Sequence, residues 1–136
     1  MKAYLGIKFY GDYSNRELIE DISSALEQSG FQTVCMVRDI EQWGRIRFEP
    51  QPLMEKTFEE IDSSDIVVIE LTEKGVGLGI EAGYAYAKGI PIVTIAKSGS
   101  DISDTLKGIS QGIFWYEKPD ELPAFFKRHL KSEEKK

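Results

Sequence analysis

The sequence predicts a five-stranded parallel α/β sheet, doubly wound in the Rossmann/flavodoxin-like manner with strand order 2-1-3-4-5. Three observations carry this. Apolar runs that read as strands alternate with segments of helical periodicity, which is the signature of a parallel sheet built from right-handed crossovers. The runs are continuous rather than alternating, as in Asp65-Ile-Val-Val-Ile-Glu-Leu71, so both faces of the sheet are to be covered. Gly30 stops the first helix, and Gly108 leads out of a short helix over 101–107.

The elements follow in order. Ala3-Tyr-Leu-Gly-Ile-Lys-Phe9 reads as the first strand. Residues 15–29 put Leu18, Ile19, Ile22, Ala25 and Leu26 on one face of a helix that ends at Gly30. Phe31 to Val37 is the second strand, and residues 38–50 are a loop with Trp43, Phe48 and three arginines, closed by Pro50 and Pro52. A short helix over 53–63 turns Leu53, Met54, Phe58 and Ile61 inward. The third strand leads to a glycine loop over residues 72–79 and a helix. Pro91 to Ala96 is the fourth strand, residues 101–107 a short helix, Gly112 to Tyr116 the fifth strand, and a last helix starts near Pro119. Residues 1–130 are thus expected to form one domain, with 131–136 as a frayed charged tail.

Composition narrows the function. The chain has 136 residues, enough for a core that needs no disulfide or metal. Its net charge of −6 leaves no basic stripe to neutralise nucleic acid. One cysteine, Cys35, and one histidine, His129, speak against a zinc site or a Cys/His nucleophile pair. Cys35 reads as a buried strand residue and His129 as part of the basic end of the last helix. No cofactor is expected. No signal peptide and no membrane-length apolar run are found, so the expected setting is cytoplasmic, with no membrane partner.

The strand order places its switch point between strands one and three, and ligands bind beyond the carboxyl ends of strands at such a point. The segment Gly75-Val-Gly-Leu-Gly-Ile-Glu-Ala-Gly83 lies there. Gly75, Gly77 and Gly79 allow a close backbone approach, and Glu81, in the first turn or so of the helix, is placed beside Tyr4, Lys8 and Tyr10. An ionised glutamate there can attack an electron-poor carbon; it can also simply complement the helix dipole. The glycines are not a dinucleotide fingerprint, because they follow strand three and Ile80 stands where a third glycine is needed. Gly6 and Gly11 have P-loop spacing, but Asp12 and Tyr13 follow in place of Lys and Ser/Thr.

On Tyr4-Leu-Gly6, Ser64-Asp65-Ile-Val-Val, Gly77-Leu-Gly-Ile-Glu-Ala-Gly-Tyr-Ala85 and Lys88-Gly-Ile-Pro91, the chain resembles the nucleoside 2-deoxyribosyltransferase superfamily, which includes 2′-deoxynucleoside 5′-monophosphate N-hydrolases. The resemblance spans Tyr4 to about Gly108. It implies cleavage of the N-glycosidic bond of a nucleoside 5′-monophosphate. Glu81 would be the nucleophile of a covalent glycosyl-enzyme, Tyr4 would hold it, and Gly6 would lie at the site. Base exchange by a deoxyribosyltransferase and a non-catalytic nucleotide-binding module are the alternatives.

Two departures stand out. Thr57 occupies the place of an aspartate that the family puts eight residues before the Asp65 position, so Glu55 or Glu60 would have to compensate. Gly75 stands where the N-hydrolases have a phosphate-binding serine, and Lys8 could supply the missing contact. Ser103 matches a serine that a neighbouring subunit contributes, which implies a homodimer or larger assembly with shared sites; it is equally a helix N-cap. Trp43 could cover a base or pack as part of a lid.

Overall fold

The structure, a computed structural model, describes residues 1–12 and 14–130; the expected frayed tail at 131–136 lies outside the described residues. Five parallel strands, β1 (Lys2–Ile7), β2 (Gln32–Val34), β3 (Ile66–Glu70), β4 (Ile92–Lys97) and β5 (Gly112–Tyr116), form one sheet in the order β2-β1-β3-β4-β5. The expected strand order is the observed one. Four helices connect them, α1 (Arg16–Gln28), α2 (Pro50–Asp62), α3 (Val76–Ala87) and α4 (Asp104–Ile109), and α5 (Leu122–His129) follows β5. No helix among the described residues is long and apolar enough to cross a membrane.

Alternating strand residues divide two cores, as the pleat requires. Ala3, Leu5, Ile66, Val68, Val93 and Ile95 pack with Ile19, Ile22 and Leu26 of α1 and Phe125 and Phe126 of α5. Tyr4, Val67, Ile69, Ile92 and Ala96 pack with Ile61 of α2, Leu78, Ala82 and Ala85 of α3, and Leu106 of α4. Each such aliphatic side chain contributes about 1.5–3 kcal/mol when fully buried. Tyr4 and Gly6 are two apart on β1 and so face the second core, where α2 and α3 lie.

β1 ends at Ile7 rather than Phe9, and α4 covers Asp104–Ile109 rather than 101–107, with Gly108 inside it. Three further differences bear on the site. β2 covers only Gln32–Val34, because the Asp39 carboxylate takes the Cys35 N–H at 2.9 Å and a π-helical turn, Met36–Ile40, replaces the end of the strand. Arg38 fans from that turn onto Glu20, Ser23, Thr33 and Asp39, which fixes the turn to α1. α2 begins at Pro50 rather than at Leu53; prolines in the first turn lack only N–H groups that the helix leaves unpaired. α3 begins at Val76, with Gly75 as its N-cap, so Gly77 and Gly79 are helical and the glycine loop is shorter than the sequence suggested.

Beyond the strands, the buried Glu70 carboxylate accepts hydrogen bonds from the Thr72 N–H, the Thr72 hydroxyl and the Tyr116 hydroxyl, and the Thr72 hydroxyl accepts the Lys97 N–H. This network ties the tips of β3, β4 and β5 to the short connection that starts α3.

Candidate active site

A cavity of about 370 Å³ opens where β1 separates the β2 and β3 sides of the sheet. Tyr4, Gly6, Thr57, Gly77 and Glu81 line it, together with Cys35, Met36, Glu41, Leu53 and Met54. The volume falls in the range of small-ligand pockets. No lysine, arginine or histidine lines it among the described residues.

Glu81 sits in the second turn of α3, not the first. Helical side chains lean toward the N-terminus and cover the preceding turn, so its carboxylate lies back over Gly77, four residues earlier. A Cβ on Gly77 would come within 3.8 Å of Oε2. A Cβ on Gly6 would come within 2.7 Å of Oε1, closer than such atoms can approach. Gly6 is therefore the floor on which the carboxylate rests. A glycine inside a helix costs about 1 kcal/mol relative to alanine. At Gly77 that cost accompanies a seat for the acid.

Oε1 of Glu81 is buried and accepts no hydrogen bond; among the described residues it is the one buried side-chain oxygen in this condition. Burial pushes the Glu81 pKa up to about 7, opposed by the nearby Tyr4 hydroxyl. Burial, then the neighbouring Glu81 charge, push the Tyr4 hydroxyl far above its ordinary range, so Tyr4 stays protonated. A buried acid beside a protonated phenol, with one oxygen unpaired, has an acceptor to spare for chemistry in the cavity.

Of the remaining sequence candidates, Thr57 lines the cavity and the others lie elsewhere. Lys8 is exposed, pairs with Glu73 at 3.7 Å and lies beside Gly75, where its Cδ would be 3.9 Å from a Cβ. Lys8 and Tyr10 line a separate small recess with Thr72 and Lys97. Gly79 faces open space. Trp43 does not line the cavity; it is buried in the α1-side core, 5.6 Å from the Phe9 ring, with the Arg16 guanidinium 4.3 Å from its own ring centre. Ser103 is the N-cap of α4, and its hydroxyl lies 3.2 Å from that of Thr105. Thr57 is buried and donates to the Leu53 carbonyl at 2.9 Å, as a helical threonine commonly does. Of the two expected substitutes for the missing aspartate, Glu55 is exposed beside Gln51 and Glu60 is held by Lys2, and neither lines the cavity. Sequence reasoning missed Glu41, Cys35 and Met36, because the π-helical turn that brings them to the wall has no sequence signature of its own.

With this geometry in hand, comparison with known proteins is informative. Residues 3–121 match the family described as nucleoside 2-deoxyribosyltransferase. A Thermofilum pendens protein provisionally named 2′-deoxynucleoside 5′-phosphate N-hydrolase 1 is 25% identical over 123 residues, which span 85% of this chain and 80% of that one. Among solved structures, the Clostridium botulinum CMP N-glycosidase superposes with a TM-score of 0.69 at 20% identity, covering 96% of this chain and all (100%) of that one. A 2-deoxyribosyltransferase from Bacillus psychrosaccharolyticus superposes with a TM-score of 0.67 at 16% identity, covering 90% of each chain. At these identities the two structures share the fold.

Proposed function

The chain belongs to the nucleoside 2-deoxyribosyltransferase family, and from that premise we propose that it cleaves the N-glycosidic bond of a (deoxy)nucleoside 5′-monophosphate, releasing the base and a sugar phosphate. The observation that carries the reading is the Glu81 carboxylate, seated on Gly6, buried beside Tyr4 and left with an unpaired oxygen in a ligand-sized cavity. Its carboxylate attacks the anomeric carbon as the base leaves. Water then releases the sugar from the resulting ester with net retention.

The phosphate is held at the rim, since among the described residues the cavity wall has no cation. Lys8 and the free N–H groups at the start of α3 around Gly75 are the local donors. The test is a panel of nucleosides and their monophosphates, with and without a free acceptor base, read by chromatography. Base release from monophosphates without acceptor is the expected result. Exchange that needs an acceptor would assign a transferase instead, and binding without turnover a nucleotide sensor.

The same reading gives Ser103 to a neighbouring copy's site. α3 turns an uncharged face outward, with Val76 82%, Ile80 47% and Tyr86 60% exposed. A helix apolar on all sides is ordinarily buried on all sides. A second copy covers this face. The β5 segment is less suited to this contact: Tyr116 is fully buried, and Trp115 donates to the Ser100 carbonyl at 2.8 Å. Tyr84 stacks on Phe58 at 4.2 Å and faces α2. Ser103→Ala is expected to weaken monophosphate binding by about 1–3 kcal/mol while sparing nucleosides. Mixing it with inactive Glu81→Gln chains should restore turnover, because one site in each heterodimer then carries neither defect. A fully active monomer in sedimentation would overturn the shared site.

A further inference from the structure

Glu41 is the second carboxyl group of the cavity, and no motif led to it. It comes from the β2 side of β1, whereas Glu81 comes from the β3 side, so the two acids flank the strand that carries Tyr4. The Glu41 backbone is held at both ends. Its N–H donates to the Met36 carbonyl at 2.8 Å, and its own carbonyl accepts from Gly44 and Ile46, both at 3.0 Å.

The chain spends conformational energy to build this seat. Glu41 closes the π-helical turn Met36–Ile40, and the next two residues, Gln42 (φ 49°) and Trp43 (φ 60°), are both left-handed although neither is glycine. Such residues are strained and persist where surrounding structure fixes them. Here the buried Trp43 ring is the anchor. Irregular helical turns of this kind recur at functional sites. The Glu41 carboxylate itself accepts no hydrogen bond and meets no cation among the described residues, so nothing structural explains why an acid stands there.

We propose that Glu41 is the acid/base group of the reaction, in the role that Thr57 cannot fill. The assignment rests on the glycosidic-bond reading above. As the bond between C1′ and the base nitrogen breaks, its electron pair goes to the base and the Glu41 carboxyl proton goes to a nitrogen of that base, while a Glu81 oxygen bonds to C1′. In the second step the Glu41 carboxylate removes a proton from water, the water oxygen bonds to C1′, and Glu81 departs as a carboxylate. Burial raises the Glu41 pKa above the ordinary glutamate range, which favours the protonated form needed first.

A pair of substrates tests this. One is the monophosphate that the wild type turns over; the other is the p-nitrophenyl glycoside of the same sugar phosphate, whose leaving group departs as a stable anion without a proton. Glu41→Gln is expected to slow base release by about 10²- to 10⁴-fold. With the nitrophenyl substrate it should give a burst of one nitrophenol per chain at a rate within a few-fold of wild type. Slow turnover follows, with a sugar phosphate ester on Glu81 visible by mass spectrometry. Glu41→Asp, which keeps the acid on a shorter arm, should recover part of the base-release rate. Glu81→Gln removes both reactions. Equal slowing of both substrates by Glu41→Gln, or an unchanged base-release rate, overturns the assignment while the functional reading stands. Failure of the wild type to release base from any nucleoside or monophosphate overturns both.

Discussion

Replacing Glu81 by glutamine is expected to abolish base release, with a loss on the order of 10⁴- to 10⁶-fold, because an amide of the same shape cannot form the ester intermediate. Ligand binding should survive, and calorimetry with a monophosphate measures it. The same substitution has a stability signature that a bystander residue would not give. Burial raises the Glu81 pKa from its ordinary 4.5 to about 7, so the folded chain holds this proton more tightly than the unfolded chain. The stability associated with it is fully present below about 4.5 and is lost as pH rises to about 7. The total is on the order of 3 kcal/mol. Urea titrations of wild type from pH 5 to 8 should therefore show a fall that Glu81→Gln lacks, and the variant should be the more stable protein at pH 8. Activity should run the opposite way, with kcat/KM rising through pH 7 as the nucleophile ionises. A flat stability difference across this range would mean that the carboxylate is not buried as described, and near-normal turnover would remove it from the mechanism.

Gly6→Ala is expected to damage catalysis strongly, though less than Glu81→Gln, while leaving the fold standing. The new methyl would lie 2.7 Å from Glu81 Oε1 and 3.0 Å from Ile69 Cδ1. The carboxylate is the freer of the two neighbours, so it gives way and swings off its seat. A displacement near 1 Å at a reacting atom costs on the order of 100-fold in rate. Overpacking against Ile69 should add a stability loss of about 1–3 kcal/mol. Steady-state kinetics beside a thermal melt separate the two effects. A kcat equal to wild type would show that the close approach of β1 to α3 does not position the acid.

The strand order was legible because unbroken runs such as Ile66–Ile69 leave no solvent face and so require cover on both sides. Glu81 was legible because glycines and a lone carboxylate coincide at the switch point. What could not be read was the path between β2 and α2. Its course depends on Asp39 capturing the Cys35 N–H and on Trp43 sinking into the core through a left-handed backbone, both tertiary choices that override local preference. That path carries Glu41 to the wall and removes Trp43 from it, so the loop's most conspicuous residue was weighed as a base contact while its plain glutamate went unremarked. The start of α3 was misjudged for a simpler reason. Glycine density suggests loop, but here Gly77 makes room for a side chain from the following turn.

Cys35 shares the cavity wall with these acids and is the more intrinsically nucleophilic group. Burial pushes its thiol up to about 12. At pH 7 roughly one molecule in 10⁵ carries the thiolate, the form that reacts. Under the proposed reaction, a sugar carbon in this cavity would therefore meet carboxylate oxygen rather than reactive sulfur, and would be spared the stable thioglycoside that sulfur attack would leave behind.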